Sequence, residues 1–237
     1  MIKKQFIPIA IAAFAACGLA LADGEKHVFR FGGVFSGPTG SVEAQGQFSE
    51  PVGDGTIFNF DGTAGTDTDT AFGFAVDYEY RWSDLLGLNV SACAASHDVE
   101  FHLGGDFSIT DEFTGALISS GRIDETEVVG DVTVNPLTVG VNFHVYNEGK
   151  TDLYAGAFLA YVLFGDLDVE GEITSFQNDF TYGVQIGADV PFKDTRWSFS
   201  GKLQYLDATA ELDSSEGGGE FLSIRPVSLQ FGMAYRF

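Results

Sequence analysis

The chain has 237 residues, with 34 Asp and Glu against 12 Lys and Arg, a formal net charge of −22 and 45% hydrophobic residues. So much negative charge excludes nucleic acid as a partner, because a polyanion is repelled. Two cysteines in the whole chain exclude a disulfide framework, so stability has to come from how the backbone closes on itself.

At the start, Lys3 and Lys4 precede an apolar run that ends in Ala20-Leu21-Ala22. A charged beginning, an apolar middle and an A-x-A site read as a cleavable secretory signal peptide over residues 1–22. Cys17 offers an acylation alternative, which Phe14, three positions before it, disfavours. The expected mature domain is a single unit, 23–237, whose one cysteine is Cys93.

Eight segments then alternate apolar and polar residues, as strands with one greasy and one wet face do. Residues 27–36 set Phe29, Phe31 and Phe35 against Arg30. Residues 71–82 are the clearest, with Phe72, Phe74, Val76, Tyr78, Tyr80 and Trp82 against Gly73, Ala75, Asp77, Glu79 and Arg81. Residues 86–101 set Leu88 and Val90 against Asn89 and Ser91, and 136–146 set Leu137 to Val145 against Asn142 and His144. Residues 153–164 are apolar on both faces, which leaves their facing open. Residues 180–190 carry Gln185 and Asp189 on the polar side, and 197–206 carry Lys202 and Gln204. The last, 227–237, places Val227, Leu229, Phe231, Met233, Tyr235 and Phe237 at every second position.

Each segment is about ten residues, the length a tilted strand needs to cross a bilayer. Lipid offers no hydrogen bonds to an open sheet edge, so such strands close into a ring. The predicted fold is all-β: an eight-stranded antiparallel transmembrane up-and-down β-barrel of the bacterial outer membrane, with greasy side chains on lipid and polar ones in the lumen.

Connections at 82–85, 147–151 and 192–195 are tight, as expected on the periplasmic side. Those at 37–70, 102–135, 165–179 and 207–221 are long and read as extracellular loops. They hold most of the acid, including Asp61, Asp67, Asp69, Asp124, Glu125, Glu127, Asp166, Asp168, Glu170, Glu172 and Glu216. The Asp- and Gly-rich stretch 61–69 lacks the spacing and closing Glu of an EF-hand and reads as a solvated loop compatible with weak divalent-cation binding. Tyr78, Tyr80, Trp82, Tyr146, Trp197, Tyr205, Tyr235 and Phe237 are placed for the interfacial girdles. Tyr235 and Phe237 also form the aromatic terminus that barrel insertion machinery reads.

The alternation assigns Arg30, Asp77, Glu79, Arg81, Asn142, His144, Gln185, Asp189, Lys202, Gln204 and Arg236 to the lumen, as an ion-pair and hydrogen-bond network plugging its periplasmic half. Barrel stabilisation alone accounts for any one of them. No nucleophile pattern emerges for an enzyme: Ser96 and His97 are adjacent, so they point to opposite faces. His97 and His102 with nearby carboxylates match no strong metal spacing. No cofactor is implied.

With the strands placed, the chain resembles the OmpW family of small outer-membrane barrels. The resemblance rests on an ordered series: His97 and Asp98 closing the third strand, Asn135-Pro136-Leu137-Thr138 opening the fourth, Tyr154-Ala155-Gly156-Ala157 in the fifth, Ile186-Gly187-Ala188-Asp189 in the sixth, Tyr205-Leu206-Asp207 ending the seventh, and Arg225-Pro226 opening a last strand that ends in Tyr235-Arg236-Phe237. Ala157 to Tyr161 and the two long first loops depart from the family pattern. The resemblance implies passage of small hydrophobic molecules across the outer membrane, with lateral exit into lipid. The alternative is a structural or adhesive barrel that transports nothing and works through its surface loops. Implied partners are outer-membrane lipid and lipopolysaccharide, the insertion machinery and a small hydrophobic ligand.

Overall fold

A computed structural model describes residues 26–37, 42–145, 151–169, 172–212, 221–224 and 226–237. The leader with Lys3, Lys4 and Cys17, the turn at 147–150 with Tyr146, the carboxylates Glu170 and Glu216, and Arg225 lie outside the described residues. The strands are β1 (His27–Gly37), β2 (Val42–Gly53), β3 (Thr56–Thr68), β4 (Ala71–Arg81), β5 (Leu86–Asp111), β6 (Leu117–Val145), β7 (Asp152–Phe164), β8 (Leu167–Val169), β9 (Glu172–Thr174), β10 (Phe176–Gln177), β11 (Asp179–Pro191), β12 (Trp197–Leu206), β13 (Ala208–Leu212), β14 (Phe221–Ile224) and β15 (Val227–Arg236).

Eight of them close a ring in the order β1-β4-β5-β6-β7-β11-β12-β15, with β15 returning to β1. Every pairing around the ring is antiparallel. At the seam Gly32 faces Gly232. A Cβ on Gly32 would fall 2.0 Å from the Phe231 carbonyl oxygen, so only glycine lets the two backbones meet there. The start of β1 is tied to the last residue, Phe237 N–H donating to His27 C=O at 3.0 Å.

Facing follows the period of two. Val184 is 54% exposed and its neighbour Gln185 2%, and Phe231 is 37% exposed against 5% for Gln230. The wall therefore presents an apolar surface that only hydrocarbon accommodates. In β7, which alternation left open, Asp152, Tyr154, Phe158, Ala160 and Val162 point inward and Leu153, Leu159 and Tyr161 outward. Trp197, Tyr235 and Phe237 stack near the short-turn end, with centroids 4.8 and 5.8 Å apart.

The segments expected as the first two long loops differ from that expectation. β5 and β6 run 26 and 29 residues, far more than a bilayer requires, and stay paired to Thr110 and Leu117. The β2–β3 hairpin adds to the far side of β5, from Thr68 against Val99 to Thr56 against Asp111. The stretch 61–69, expected as a solvated loop, lies mostly within β3. Gly53, Asp54 and Gly55 all take positive φ at the hairpin tip, which a Gly-Asp-Gly sequence permits. The β5–β6 tip is held by Asp111, whose carboxylate accepts from Phe113 N–H, Thr114 N–H and the Thr114 hydroxyl, and those bonds hold it below the usual carboxylate range.

Arginine at Val184, in the lipid-facing wall, should destabilise the barrel by about 2–4 kcal/mol. Phe113→Arg, at an 87% exposed tip, should change stability by less than about 0.5 kcal/mol. Denaturant titration of folded protein in phospholipid vesicles measures both, and equal costs would contradict the assigned facing.

Candidate functional site

The interior is divided. Towards the short-turn end it is filled by charge. The i, i+2, i+4 spacing of Asp77, Glu79 and Arg81 puts all three on the inner face of β4. Arg30 on β1 is their register neighbour, opposite Asp77. Its guanidinium donates to Asp77 Oδ1 at 2.9 Å, to Glu79 Oε2 at 3.2 Å and, through Nε and Nη2, to the Asp189 carboxylate at 2.8–3.2 Å. It also lies 4.9 Å from the Tyr154 ring centroid.

The remaining contacts form one connected set. Lys202 Nζ and Asn89 Nδ2 donate to Asp77 Oδ2 at 2.9 and 2.7 Å. Glu79 accepts from Arg81 Nε at 2.8 Å and Asn142 Nδ2 at 2.6 Å. Gln204 donates to Gln185, and Gln185 to Asn142, at 2.9 and 2.6 Å. His144 lies between Glu79 and Asp152, at 2.9 and 3.1 Å. Asp152 also meets Arg81, and Arg236 reaches it at 3.3 Å. Four cations, Arg30, Arg81, Lys202 and Arg236, thus face four carboxylates, Asp77, Glu79, Asp152 and Asp189. Burial without such pairing would cost several kcal/mol per ion.

Towards the long-loop end the lumen turns apolar. Val134, Phe158, Ala160, Val162, Leu206 and Ala208 form a buried cluster, with Phe164 and Phe176 against it. A small cavity of about 30 Å³ lies between the two halves, lined by Ser36, Cys93, Pro136, Thr138, Phe158 and Leu206 among others.

Beside that cavity the β5–β6 ladder is weakened. The register runs unbroken from Ala92 opposite Leu137 to Ala95 opposite Val134, but the regular bridges lapse at Cys93 and Ala94, which face Pro136 and Asn135. Pro136 has no N–H to give the ladder. Next to that stretch, on the outer wall, runs an apolar groove of about 710 Å³ lined by Val76, Val90, Ala92, Leu137, Tyr161 and Phe180 among others. Thr138 borders both the cavity and the groove.

All eleven residues expected in the lumen meet in this one network. Asn89 and Asp152 belong to it as well. Asn89 alternates with Leu88 and Val90 and was readable by parity, whereas Asp152 precedes a segment whose two faces are both apolar. Of the strand-end residues, His97 is buried, with Nδ1 2.8 Å from the Asp69 carbonyl, while Asp98 is exposed on the other face. Asp207 C=O accepts from the Thr181 hydroxyl, and Pro226 C=O accepts from Leu206 N–H at 3.2 Å. Ser96 is exposed and donates to Asp131 at 3.0 Å, away from His97. Among the described residues no three His, Cys, Asp or Glu gather as a metal site.

The family described as outer membrane protein beta-barrel domain matches residues 9–237. Comparison with curated proteins finds no match. Among solved structures the chain is similar to the outer membrane protein OprG from Pseudomonas aeruginosa, at 16% identity and a TM-score of 0.60, covering 90% of this chain and 98% of that one. It is also similar to Neisserial surface protein A, at 11% identity and a TM-score of 0.51, covering 91% of this chain and all of that one. Identities this low speak for the fold.

Arg30→Met removes from the interior the cation that Asp77, Glu79 and Asp189 share and should cost about 3–5 kcal/mol. In that background Asp189→Asn should cost less than it does alone, because the two residues act as a pair. Unfolding titrations of the four proteins in the cycle measure this, and strictly additive costs would contradict the pairing.

Proposed function

The chain belongs to the outer membrane protein β-barrel domain family and resides in the outer membrane, and we propose that it passes small hydrophobic molecules from outside into the bilayer, releasing them sideways between β5 and β6. Short turns belong at the periplasmic side and long connections outside, which orients the apolar half of the lumen outward. The observation that carries the reading is the coincidence of three features at one height: the floor of the apolar half, the weakened ladder at Pro136 and the lipid-side groove. Beneath them the charged network offers no route for an apolar solute and stands as a plug. Eight strands leave room for side chains or one small ligand, which argues against a general aqueous pore.

No catalytic role is assigned. His97 is turned away from Ser96 and engaged with the Asp69 backbone, which supports a non-enzymatic barrel. The terminal aromatics Tyr235 and Phe237 serve as the signal read during barrel insertion on this reading. A second reading, a barrel acting through its outer surface, is favoured by one feature, the sheet that β2 and β3 build beyond the ring.

Proteoliposomes with a lipopolysaccharide-containing outer leaflet separate the readings. Wild type should speed transfer of an uncharged apolar probe without admitting small sugars. Pro136→Val, which restores a ladder N–H, should slow probe transfer several-fold while leaving the barrel folded. Sugar-driven swelling would point to a porin, and no effect on either solute would favour the surface role.

A further inference from the structure

Beyond Val99 the sheet that leaves the ring keeps the facing of the lumen. β5 carries no bulge of its own there; the extra residue, Val129, is on β6. By period two the face of Ala95, His97 and Val99, buried in the lumen, continues as Phe101, Leu103, Gly105, Phe107 and Ile109, half-buried or exposed. Register carries the face sideways: Phe107 opposes Phe60, Phe60 opposes Phe48, and Ile109 opposes Phe58. The rings pack on one another, Phe48 on Phe60 at 5.4 Å, Phe48 on Phe58 at 5.8 Å and Phe58 on Phe107 at 5.8 Å. Phe60 lies over Gly62 and Gly105, its ring tip 2.6 and 2.7 Å from where their Cβ atoms would stand.

The reverse face is polar, with Gln47, Ser49, Asn59, Asp61, Asp106 and Ser108. A sheet standing in water needs no aromatic side, and contiguous exposed apolar surface marks a binding site. Phe48 and Phe101 keep 51% and 38% of their surface open. At its base the aromatic face runs into buried Val99, Val132 and Val134, and Val134 belongs to the apolar cluster of the lumen. Acid borders it: Glu125 and Glu127 oppose Leu103 and Phe101, and Glu50 opposes Phe58.

We propose that this aromatic face is a capture surface for uncharged aromatic and alkyl-aromatic molecules, which it hands along β5 to the apolar half of the lumen. Flat rings stack on Phe48 and Phe107, with Phe60 buried beneath them, and the bordering glutamates turn away carboxylate-bearing analogues. The handing-on rests on the conduit reading above; the capture does not.

Photolabelling in nanodiscs tests it, with an uncharged aryl diazirine and its carboxylate analogue as probes. The uncharged probe should label peptides within 45–62 and 99–111, which stand clear of lipid, and excess toluene should compete. F48S/F107S should lose that label and keep labelling of the lipid-facing strands, while N59A/S108A on the reverse face should keep both. The carboxylate probe should label these peptides several-fold less. Labelling confined to the lipid-facing strands, or equal labelling by both probes, would overturn the proposal. Probe transfer across proteoliposomes, measured in parallel, keeps the two ideas apart. Label without transfer would sink the conduit and leave the capture surface standing; transfer without label would do the reverse.

Discussion

Everything in this structure depends on the absence of hydrogen-bond partners in lipid. A strand that crosses hydrocarbon must have every N–H and C=O met by another strand, so the sheet closes and β15 returns to β1. Closure with only eight strands leaves an interior that side chains fill. Since alternate residues must point inward, and many of those are polar here, the interior must satisfy them internally. Arg30 does so by joining three strands through Asp77, Glu79 and Asp189. The cost of breaking closure also gives Pro136 its meaning. At Pro136 the β5–β6 ladder lacks one backbone donor beside the small cavity, so lumen and lipid are separated there by less than a complete hydrogen-bonded wall.

Much of this was legible from period two alone. The facing of Val184, Gln185, Gln230 and Phe231 and the inward placement of Lys202 and Asp189 follow from parity along the strands, and the ring order from their up-and-down succession. What parity cannot carry is register, because partners such as Arg30 and Asp189 lie 159 residues apart. β7 was ambiguous because its lumen half is itself apolar: Phe158, Ala160 and Val162 point inward yet belong to the hydrophobic cluster. That ambiguity was a sign of the divided lumen. Asp152 fell just outside the readable segment for the same reason.

The outer sheet was hidden differently. Residues 61–69 are rich in Gly and Asp, which are depleted in ordinary strands, so the stretch reads as loop. The glycines are there because Phe60 needs the space above Gly62 and Gly105, a requirement that exists only once three strands are side by side. Acidity, spread through the same segments, then keeps a partly aromatic surface soluble. Strand, stack and charge thus support one another outside the membrane as closure and ion pairing do within it.

Current through single barrels in a planar bilayer tests the division of the lumen most directly. An interior whose four cations and four carboxylates are paired side chain to side chain leaves no continuous column of water. Wild-type protein should therefore insert without steady ohmic conductance. A stable ohmic current that scales with salt concentration would mean an open aqueous path through the charged half, and the divided lumen would be wrong.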